Sequence, residues 1–341
     1  MNASAVLNAW IGERLPGHGE PLTLRPIGAA TGAANELSWM ERGEHTWVLR
    51  RAPNIRVTAS ANNMLREWRI LTALDRTDVP HPTPLLVAGS EESPFGTPFI
   101  VLEKVDGFTP VGVLPAPYDT ANGRRNLAFA MVDALALLAQ VDCNVPELQG
   151  LGRPEGFLER QVDRWLGQWS SYRTRGLPVA DELAVWLGER IPGHWPVGLM
   201  HGDYSAFNVM ASPTQTTRLA AVIDWDTGTV GCPLLDIGHL LARWTEPGED
   251  PVVVNWDIGD GSLASRSGLP SRAELAERYV QQSGLNLEDL VFFEVLSLFK
   301  LALILEGRVA QAASPEEGSG WVQMVDRLLL GALEFARGER I

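Results

Sequence analysis

The segments LMHGDYSAFNVM at residues 199–210 and LAAVIDWDTGTVGCPLLD at residues 219–236 decide the fold of this 341-residue chain. Each begins with apolar residues typical of a short buried strand and continues into a loop with polar side chains. Asp203 and Asn208 lie five positions apart in the first loop, and Asp224 ends the second apolar run. The first loop therefore presents a carboxylate and an amide in a D-x-x-x-x-N spacing.

These three polar residues suit phosphoryl transfer from a nucleotide. Such a reaction needs little covalent help from protein, so it depends on positioning an alcohol and on neutralising charge with metal ions. Asp203 is the candidate for the group that faces the acceptor hydroxyl, and Asn208 and Asp224 would suffice as Mg²⁺ ligands beside phosphate and water. A lone Asp or Asn in a loop is usually a turn former or helix cap. The combination of all three favours catalysis.

The two motifs resemble those of the aminoglycoside phosphotransferase and choline kinase-like superfamily. Its H-G-D-x-x-x-x-N loop matches residues 201–208, and its I-D-W-(D/E) segment matches residues 223–226. The resemblance implies that Asp203 is the catalytic base and that Asn208 and Asp224 bind Mg²⁺. It also implies ATP or GTP as phosphoryl donor and a small-molecule alcohol as acceptor.

The same resemblance extends to the G-D-P-x-x-D segment of the family, which is Gly-Cys-Pro-Leu-Leu-Asp at residues 231–236. Cys232 replaces the usual Asp. Asp236 is retained, and the resemblance implies that it braces the catalytic loop without touching substrate. His201 is expected to orient the loop by hydrogen bonding and to have no role in proton transfer.

The fold implied by the resemblance is an α+β, bilobal, protein-kinase-like fold. A small N-terminal lobe with an antiparallel sheet and a helix is expected to clamp the nucleotide, at residues 1–102. Residues 103–107 are predicted to form a hinge, and residues 108–341 a larger, mostly helical lobe that carries the catalytic and acceptor-binding residues. The length of the chain agrees with two domains better than with a single core.

Strand-like patterns near the N-terminus predict the small sheet, at residues 22–27, 37–41 and 45–51. Between the first two strands, residues 28–35 are small enough for backbone amides to approach phosphates. Gly28, Thr31 and Gly32 are the candidate phosphate-contacting positions. This loop lacks the G-x-G-x-x-G pattern, so by itself it is equally consistent with a turn of small residues.

The strand at residues 45–51 takes the place of the strand that presents a phosphate-contacting Lys in protein kinases. Here the cation is Arg50, whose planar fork suits phosphate or carboxylate, and Arg51 competes for the same role. Glu67 is the predicted partner of Arg50, on a helix over residues 61–74. The alternative is a solvated surface pair that contributes about 0–1 kcal/mol. The L-R-R pattern resembles the kinase-like domains found with acyl-CoA dehydrogenases.

A further apolar strand at residues 97–102 leads into residues 103–107, the position of the interlobe hinge in this superfamily. The backbone groups of Glu103 and Val105 are expected to bind the edge of the adenine base. Side chains at these positions do not distinguish ATP from GTP.

The net charge, the cysteine count and the apolar stretches restrict the classes of partner and the location expected for this chain. A net charge of −14 argues against a nucleic-acid partner. Cys143 and Cys232 are too few for a disulfide framework or a zinc site, which favours a cytosolic, cytoplasmic enzyme with reduced thiols. The apolar stretches 127–141 and 291–310 contain charged residues, so core helices are expected and no membrane span. Residues 1–17 lack the features of a signal peptide.

The acceptor is the part that the sequence leaves open. Residues 245–269 lack periodicity, which fits a lid, a binding loop or a surface excursion. Ser271 and Glu274 form a capping-box pattern that predicts a helix start.

The L-R-R strand and residues 152–157 resemble the acyl-CoA-associated branch, which favours a hydroxyacyl-CoA or an unassigned metabolite as the acceptor. An aminoglycoside or macrolide resistance kinase and a non-catalytic pseudokinase are the alternatives. Oligomeric state is open.

Overall fold

The computed structural model describes residues 3–28, 35–52, 60–246, 249, 251–252, 258–260, 262 and 266–340. The chain divides into two compact units. The first contains residues 1–107, 144–149 and 220–228, and the second contains residues 108–143, 150–219 and 229–341. The predicted α+β class is confirmed. The short segments 144–149 and 220–228 group with the first unit, although the sequence analysis assigned both to the larger lobe.

The first unit contains a five-stranded antiparallel sheet with the order β1-β2-β3-β5-β4. Its elements are α1 (Ala3–Ile11), β1 (Leu22–Pro26), β2 (Glu36–Arg42), β3 (His45–Arg51), α2 (Ser60–Leu74), β4 (Pro84–Ala88) and β5 (Phe99–Glu103). The predicted strands agree with β1, β2, β3 and β5 to within two residues at each end. Gly43 has a φ of 58°, which a turn between β2 and β3 requires and which Gly adopts at little cost.

One face of this sheet packs in a core with α1. The buried core residues are Leu7, Ile11, Leu15, Leu22, Met40, Trp47, Leu49, Ala88, Phe99 and Val101. In β3 the buried side chains of Trp47 and Leu49 alternate with partly buried Val48, as expected when successive side chains point to opposite faces. Arg50 follows Leu49, so its guanidinium lies on the face opposite to this core. That alternation places Arg50 for its contacts with α2.

The second unit is mostly helical. Its helices are α3 (Ala121–Ala139), α4 (Gln161–Ser170), α5 (Pro178–Gly188), α6 (Leu234–Leu241), α7 (Arg272–Ser283), α8 (Leu290–Gln311) and α9 (Pro315–Arg337). The apolar stretches predicted as core helices lie in α3 and α8, and most of their apolar side chains are buried. The capping box of Ser271 and Glu274 is present at the start of α7, as predicted.

Short strands in the second unit flank residues 201–208. In the antiparallel pair β6 (Gly198–Met200) and β9 (Thr229–Gly231), residues 201–208 follow β6 and α6 follows β9. The strand β7 (Val209–Ala211) comes after residues 201–208, and β8 (Leu219–Val222) overlaps residues 220–228, which group with the first unit. Among the described residues, no helix has both the length and the apolar character that crossing a bilayer requires.

Candidate active site

Asp236 of α6 binds the backbone at the start of the predicted catalytic loop, residues 201–208. Asp236 is buried, and its two carboxylate oxygens accept hydrogen bonds from the backbone amides of His201 at 2.6 Å and Gly202 at 2.8 Å. Gly202 has a φ of 84°, a conformation that favours glycine and lets two successive amides point at one carboxylate. These contacts are the bracing that the family resemblance assigned to Asp236.

Asp203 follows this pair of amides, and its side chain is 51% exposed. Oδ1 lies 3.2 Å from Nε2 of His239, while Nδ2 of Asn208 donates to the Asp203 backbone carbonyl at 2.8 Å and to Oδ2 at 3.3 Å. Burial acts to raise the pKa of Asp203. The hydrogen bond from His239 and the charges of Arg243 and Lys300 outweigh that effect, so the pKa lies well below its usual range. The carboxylate is therefore ionised at neutral pH.

Two cations, buried Arg243 and partly buried Lys300, bind carbonyl groups of the catalytic loop. Nζ of Lys300, from α8, donates to the carbonyl of Gly202 at 2.6 Å. Nη2 of Arg243 donates to the carbonyl of Tyr204 at 2.7 Å. Burial lowers the pKa of Lys300, although the nearby carboxylates of Asp203 and Asp236 oppose this shift. The carbonyl groups of the residues before and after Asp203 are thus both bound by cationic side chains.

Sequence analysis missed the roles of His239, Arg243 and Lys300 in this arrangement. His239 and Arg243 follow Asp236 by three and seven positions, a spacing that places all three on one helical face. This spacing could have indicated that His239 and Arg243 face the same segment as Asp236. Lys300 was noticed only as a charge that interrupts an apolar stretch, and a single Lys in such a stretch requires a buried partner.

A second set of predicted residues comes together in the first unit, around Arg50. Its Nε atom lies 3.0 Å from Oε2 of Glu67, and its Nη2 atom lies 2.7 Å from Oδ1 of both Asp224 and Asp226. The ion pair predicted between Arg50 and Glu67 is therefore present, and it is buried. We call Arg50, Glu67, Asp224 and Asp226 the arginine–carboxylate cluster.

The cluster has three carboxylates for one guanidinium. Burial acts to raise the pKa of Glu67 and the charge of Arg50 opposes that shift, while burial also raises the pKa of Asp226. Among the described residues, no group of three or more His, Cys, Asp or Glu side chains is arranged to hold a metal ion by itself. Mg²⁺ takes one or two protein oxygens beside phosphate and water, and Asp224, 46% exposed, is an accessible oxygen donor of that kind.

The turn after β8 gives Asp224 its orientation. Asp224 adopts the left-handed conformation, with φ 66° and ψ 62°, and a short 3-10 turn follows at Trp225–Thr227. Such a conformation costs a non-glycine residue about 1–3 kcal/mol and occurs preferentially at functional sites. Fully buried Trp225 anchors the turn by donating from Nε1 to the carbonyl of Val222 at 3.0 Å. Asp226, which the sequence analysis did not select, accepts from Nδ2 of Asn35 at 2.9 Å.

The remaining predicted nucleotide-binding residues also lie in the first unit. Arg51 pairs with Glu36 and stacks its guanidinium 4.7 Å from the ring centre of Phe95, so it does not share the contacts of Arg50. Gly28 has a φ of 72°. Thr31 and Gly32 lie outside the described residues.

At the predicted hinge, the backbone amide of Glu103 donates to the carbonyl of Thr83 at 2.9 Å. Val105 lies in the irregular segment after β5 and is partly buried. Contacts of both residues with adenine stay a prediction.

Comparisons with known proteins agree with these motifs. The model of the phosphotransferase enzyme family matches residues 24–276. The human acyl-CoA dehydrogenase family member 11 is 32% identical over 314 residues, which are 89% of this chain and 39% of that protein. The chain thus spans about two fifths of the length of this relative.

Solved structures share the fold. A crystal structure from Ralstonia eutropha, provisionally described as an aminoglycoside phosphotransferase, has a TM-score of 0.80 and 27% identity, and it covers 97% of this chain and 98% of that one. The ADP-bound aminoglycoside phosphotransferase APH(2'')-Ib has a TM-score of 0.58 and 14% identity over 98% of this chain and 99% of that one, which shows the fold alone. The chain belongs to the phosphotransferase enzyme family, and it shares the fold of the solved structures compared with it.

Proposed function

We propose that this kinase transfers the γ-phosphoryl group of ATP or GTP to a hydroxyl group of a small metabolite, with Asp203 as the catalytic base. The observation that carries the proposal is the environment of Asp203. Its carboxylate is half exposed and held ionised by His239, and its backbone neighbours are fixed by Asp236 and Lys300. A rigid, ionised carboxylate is the group that positions an alcohol for phosphoryl transfer.

In the proposed step, the acceptor hydroxyl donates a hydrogen bond to Asp203 and its oxygen forms a bond to the γ-phosphorus. The bond from that phosphorus to the bridging oxygen of the nucleotide breaks, so the nucleoside diphosphate leaves. The hydroxyl proton passes to the carboxylate of Asp203 and then to solvent. The buried donors around the catalytic loop keep Asp203 in one orientation throughout.

Magnesium is the proposed metal, and it would neutralise charge on the phosphates when bound. Asp224 would supply a carboxylate oxygen. Asn208 uses its Nδ2 group on Asp203, which leaves its amide oxygen as the other proposed ligand. Arg50, held by Glu67, would contact phosphate through the N–H groups that now bind Asp224 and Asp226.

The nucleotide is proposed to lie against Gly28, Thr31, Gly32 and the backbone of Glu103 and Val105. The family match supports this proposal, as does the ADP bound to APH(2'')-Ib.

For the acceptor, we propose a hydroxyacyl-CoA or an unassigned metabolite. The human relative, whose name refers to acyl-CoA dehydrogenase, supports this class of acceptor. The Ralstonia eutropha structure favours an aminoglycoside as the second candidate. Expression in a susceptible bacterium separates the two, because a resistance kinase raises the inhibitory concentration of aminoglycosides or macrolides and a metabolic kinase does not.

The direct test is a mass-spectrometric screen of metabolite extracts and acyl-CoA mixtures for a new phosphate ester formed with Mg-ATP or Mg-GTP. Asp203→Ala is expected to lower turnover by about 10²- to 10⁴-fold while nucleotide binding is retained. Asp163→Ala, at an exposed position of α4, is the matched control and should keep full turnover. Binding of Mg-ATP without product from any acceptor would instead identify a pseudokinase.

A further inference from the structure

One face of α6 and its extension contacts the catalytic loop residue by residue. Asp236 accepts from the amides of His201 and Gly202, and three positions later His239 lies 3.2 Å from Asp203 Oδ1. Four positions beyond His239, Arg243 donates to the Tyr204 carbonyl, and its Nε atom donates to the His239 carbonyl at 3.0 Å. These three side chains therefore contact the catalytic loop in chain order, with Asp236 first, His239 second and Arg243 third.

The ionisation states of His239 and Asp203 decide which of the two side chains donates the hydrogen bond. Burial and the nearby Arg243 guanidinium lower the pKa of His239 to about 3, and Lys300 acts in the same direction. His239 is thus neutral and carries one ring proton. An ionised carboxylate has no hydrogen to donate. The short contact therefore requires the Nε2–H tautomer, with His239 as donor and Asp203 as acceptor.

Since the proposed function makes Asp203 the base, we propose that His239 is a positioning residue that fixes the Asp203 carboxylate for the acceptor hydroxyl. Its side chain is only 5% exposed, so Oδ1 of Asp203 is turned toward the protein interior. Oδ2 has a long contact of 3.3 Å with Asn208 and retains a lone pair. Oδ2 is thereby assigned as the oxygen that accepts the hydroxyl proton.

A buried His could instead serve only to fill the core. The two roles differ in what they do to Asp203. The titratable groups that face it are His239 and Arg243 from α6 and its extension and Lys300 from α8. Removing the His239 donor leaves the two cations in place but no longer fixes Oδ1 of Asp203, so kcat should fall. If His239 only fills the core, an apolar side chain of similar size should keep kcat.

The first experiment compares His239→Leu with His239→Gln, whose side-chain amide keeps an N–H donor. In His239→Leu we expect kcat to fall about 10- to 100-fold through misplacement of the carboxylate, with nucleotide KM within about twofold. A His that only fills the core is replaced better by Leu than by Gln, so the two roles predict opposite orders of kcat for these variants. If His239 positions Asp203, His239→Gln should recover most of the lost kcat. His194→Leu, at an exposed position, is the matched control and should behave as the parent.

The second experiment does not need turnover. In protein labelled with ¹⁵N-histidine, the resonance of His239, identified by its absence in His239→Gln, should show a neutral Nε2–H tautomer down to pH 5. In Asp203→Ala that resonance should shift most among the six histidines. An Nδ1–H tautomer, titration of His239 near pH 6.5, or equal kcat of the Leu and Gln variants would overturn the inference. A parent protein without kinase activity would contradict the proposed function, while the tautomer would still decide the His239 contact.

Discussion

Arg50 and Glu67 form an ion pair of 3.0 Å with side chains only 10% and 2% exposed. The cost of taking both charges from water is offset only when each charge stays paired, so removing one partner is expensive. In this pair the cation also contacts Asp224 and Asp226, and no second guanidinium among the described residues shares those contacts. Arg50 therefore stabilises the first unit in addition to its proposed contact with phosphate.

Arg50→Met is expected to destabilise the protein by about 3–5 kcal/mol, because three carboxylates would be left together without their cation. Nucleotide affinity should fall as well. Arg51→Met is the matched control, since Arg51 and Glu36 are both more exposed and such pairs contribute about 0–1 kcal/mol. Urea unfolding and nucleotide titration of the two variants would measure this. Equal losses of stability would show that burial of the Arg50 pair has no special effect.

Gly238 and Gly167 offer a second matched comparison. A Cβ atom on Gly238, in α6, would lie 2.6 Å from Cβ and 2.8 Å from the backbone carbon of Phe293, whereas Gly167, in α4, has no atom within 4 Å of that position. Gly238→Ala should cost about 1–3 kcal/mol through overpacking. Gly167→Ala should stabilise by about 0.5–1 kcal/mol, because alanine favours helix. Thermal unfolding of both variants tests this pair.

The activity of Gly238→Ala gives a further result. Gly238 lies between Asp236 and His239, so moving α6 away from α8 should also displace the groups that hold the catalytic loop. We expect kcat of this variant to fall, whereas kcat of Gly167→Ala should stay at the parent value. Full activity of a destabilised Gly238→Ala would mean that the loop tolerates movement of α6.

Glu294 makes stability depend on pH. It is buried in α8, and burial raises the pKa of its carboxyl to about 8, against the opposing charge of Arg272. Between pH 4.5 and 8 the folded state keeps a proton that the unfolded state has lost, so this group makes stability fall as pH rises. Glu294→Gln should remove that contribution.

The measurement for Glu294 is the free energy of unfolding at pH 5 and pH 8.5. The parent should lose about 1–4 kcal/mol more than Glu294→Gln over this range. Glu288→Gln, at an exposed position before α8, should keep the behaviour of the parent. A pH dependence that survives in Glu294→Gln would place its origin elsewhere.

The sequence predicted those parts of the fold and site that depend on local pattern. The strand at His45–Arg51 and the capping box of Ser271 and Glu274 follow from short-range preferences, and the structure contains both. The Arg50–Glu67 pair was predictable because its strand and its helix were each recognisable.

Other features needed the tertiary structure. The contact of His239 with Asp203 joins residues 36 positions apart, and periodicity alone does not show which loop faces a helix. Asp226 contacts Arg50 from a turn in which Asp224 takes a left-handed conformation, and an apolar run ending in Asp does not reveal such a turn. The grouping of residues 220–228 with the first unit likewise depends on contacts distant in sequence.

Asp236 provides the last test, because both of its oxygens accept from backbone amides of the catalytic loop. Asp236→Asn places an amide donor opposite one of those N–H groups, and a buried donor without an acceptor costs about 1–3 kcal/mol. We expect that loss of stability together with a lower kcat, since Gly202 directly precedes Asp203. Asp133→Asn is the control: its pair with Arg278 joins α3 to α7 near the surface, so about 1 kcal/mol or less should be lost and kcat kept. Calorimetry and steady-state kinetics on both variants would decide, and an Asp236→Asn enzyme with parental kcat would show that the loop keeps its shape without this carboxylate.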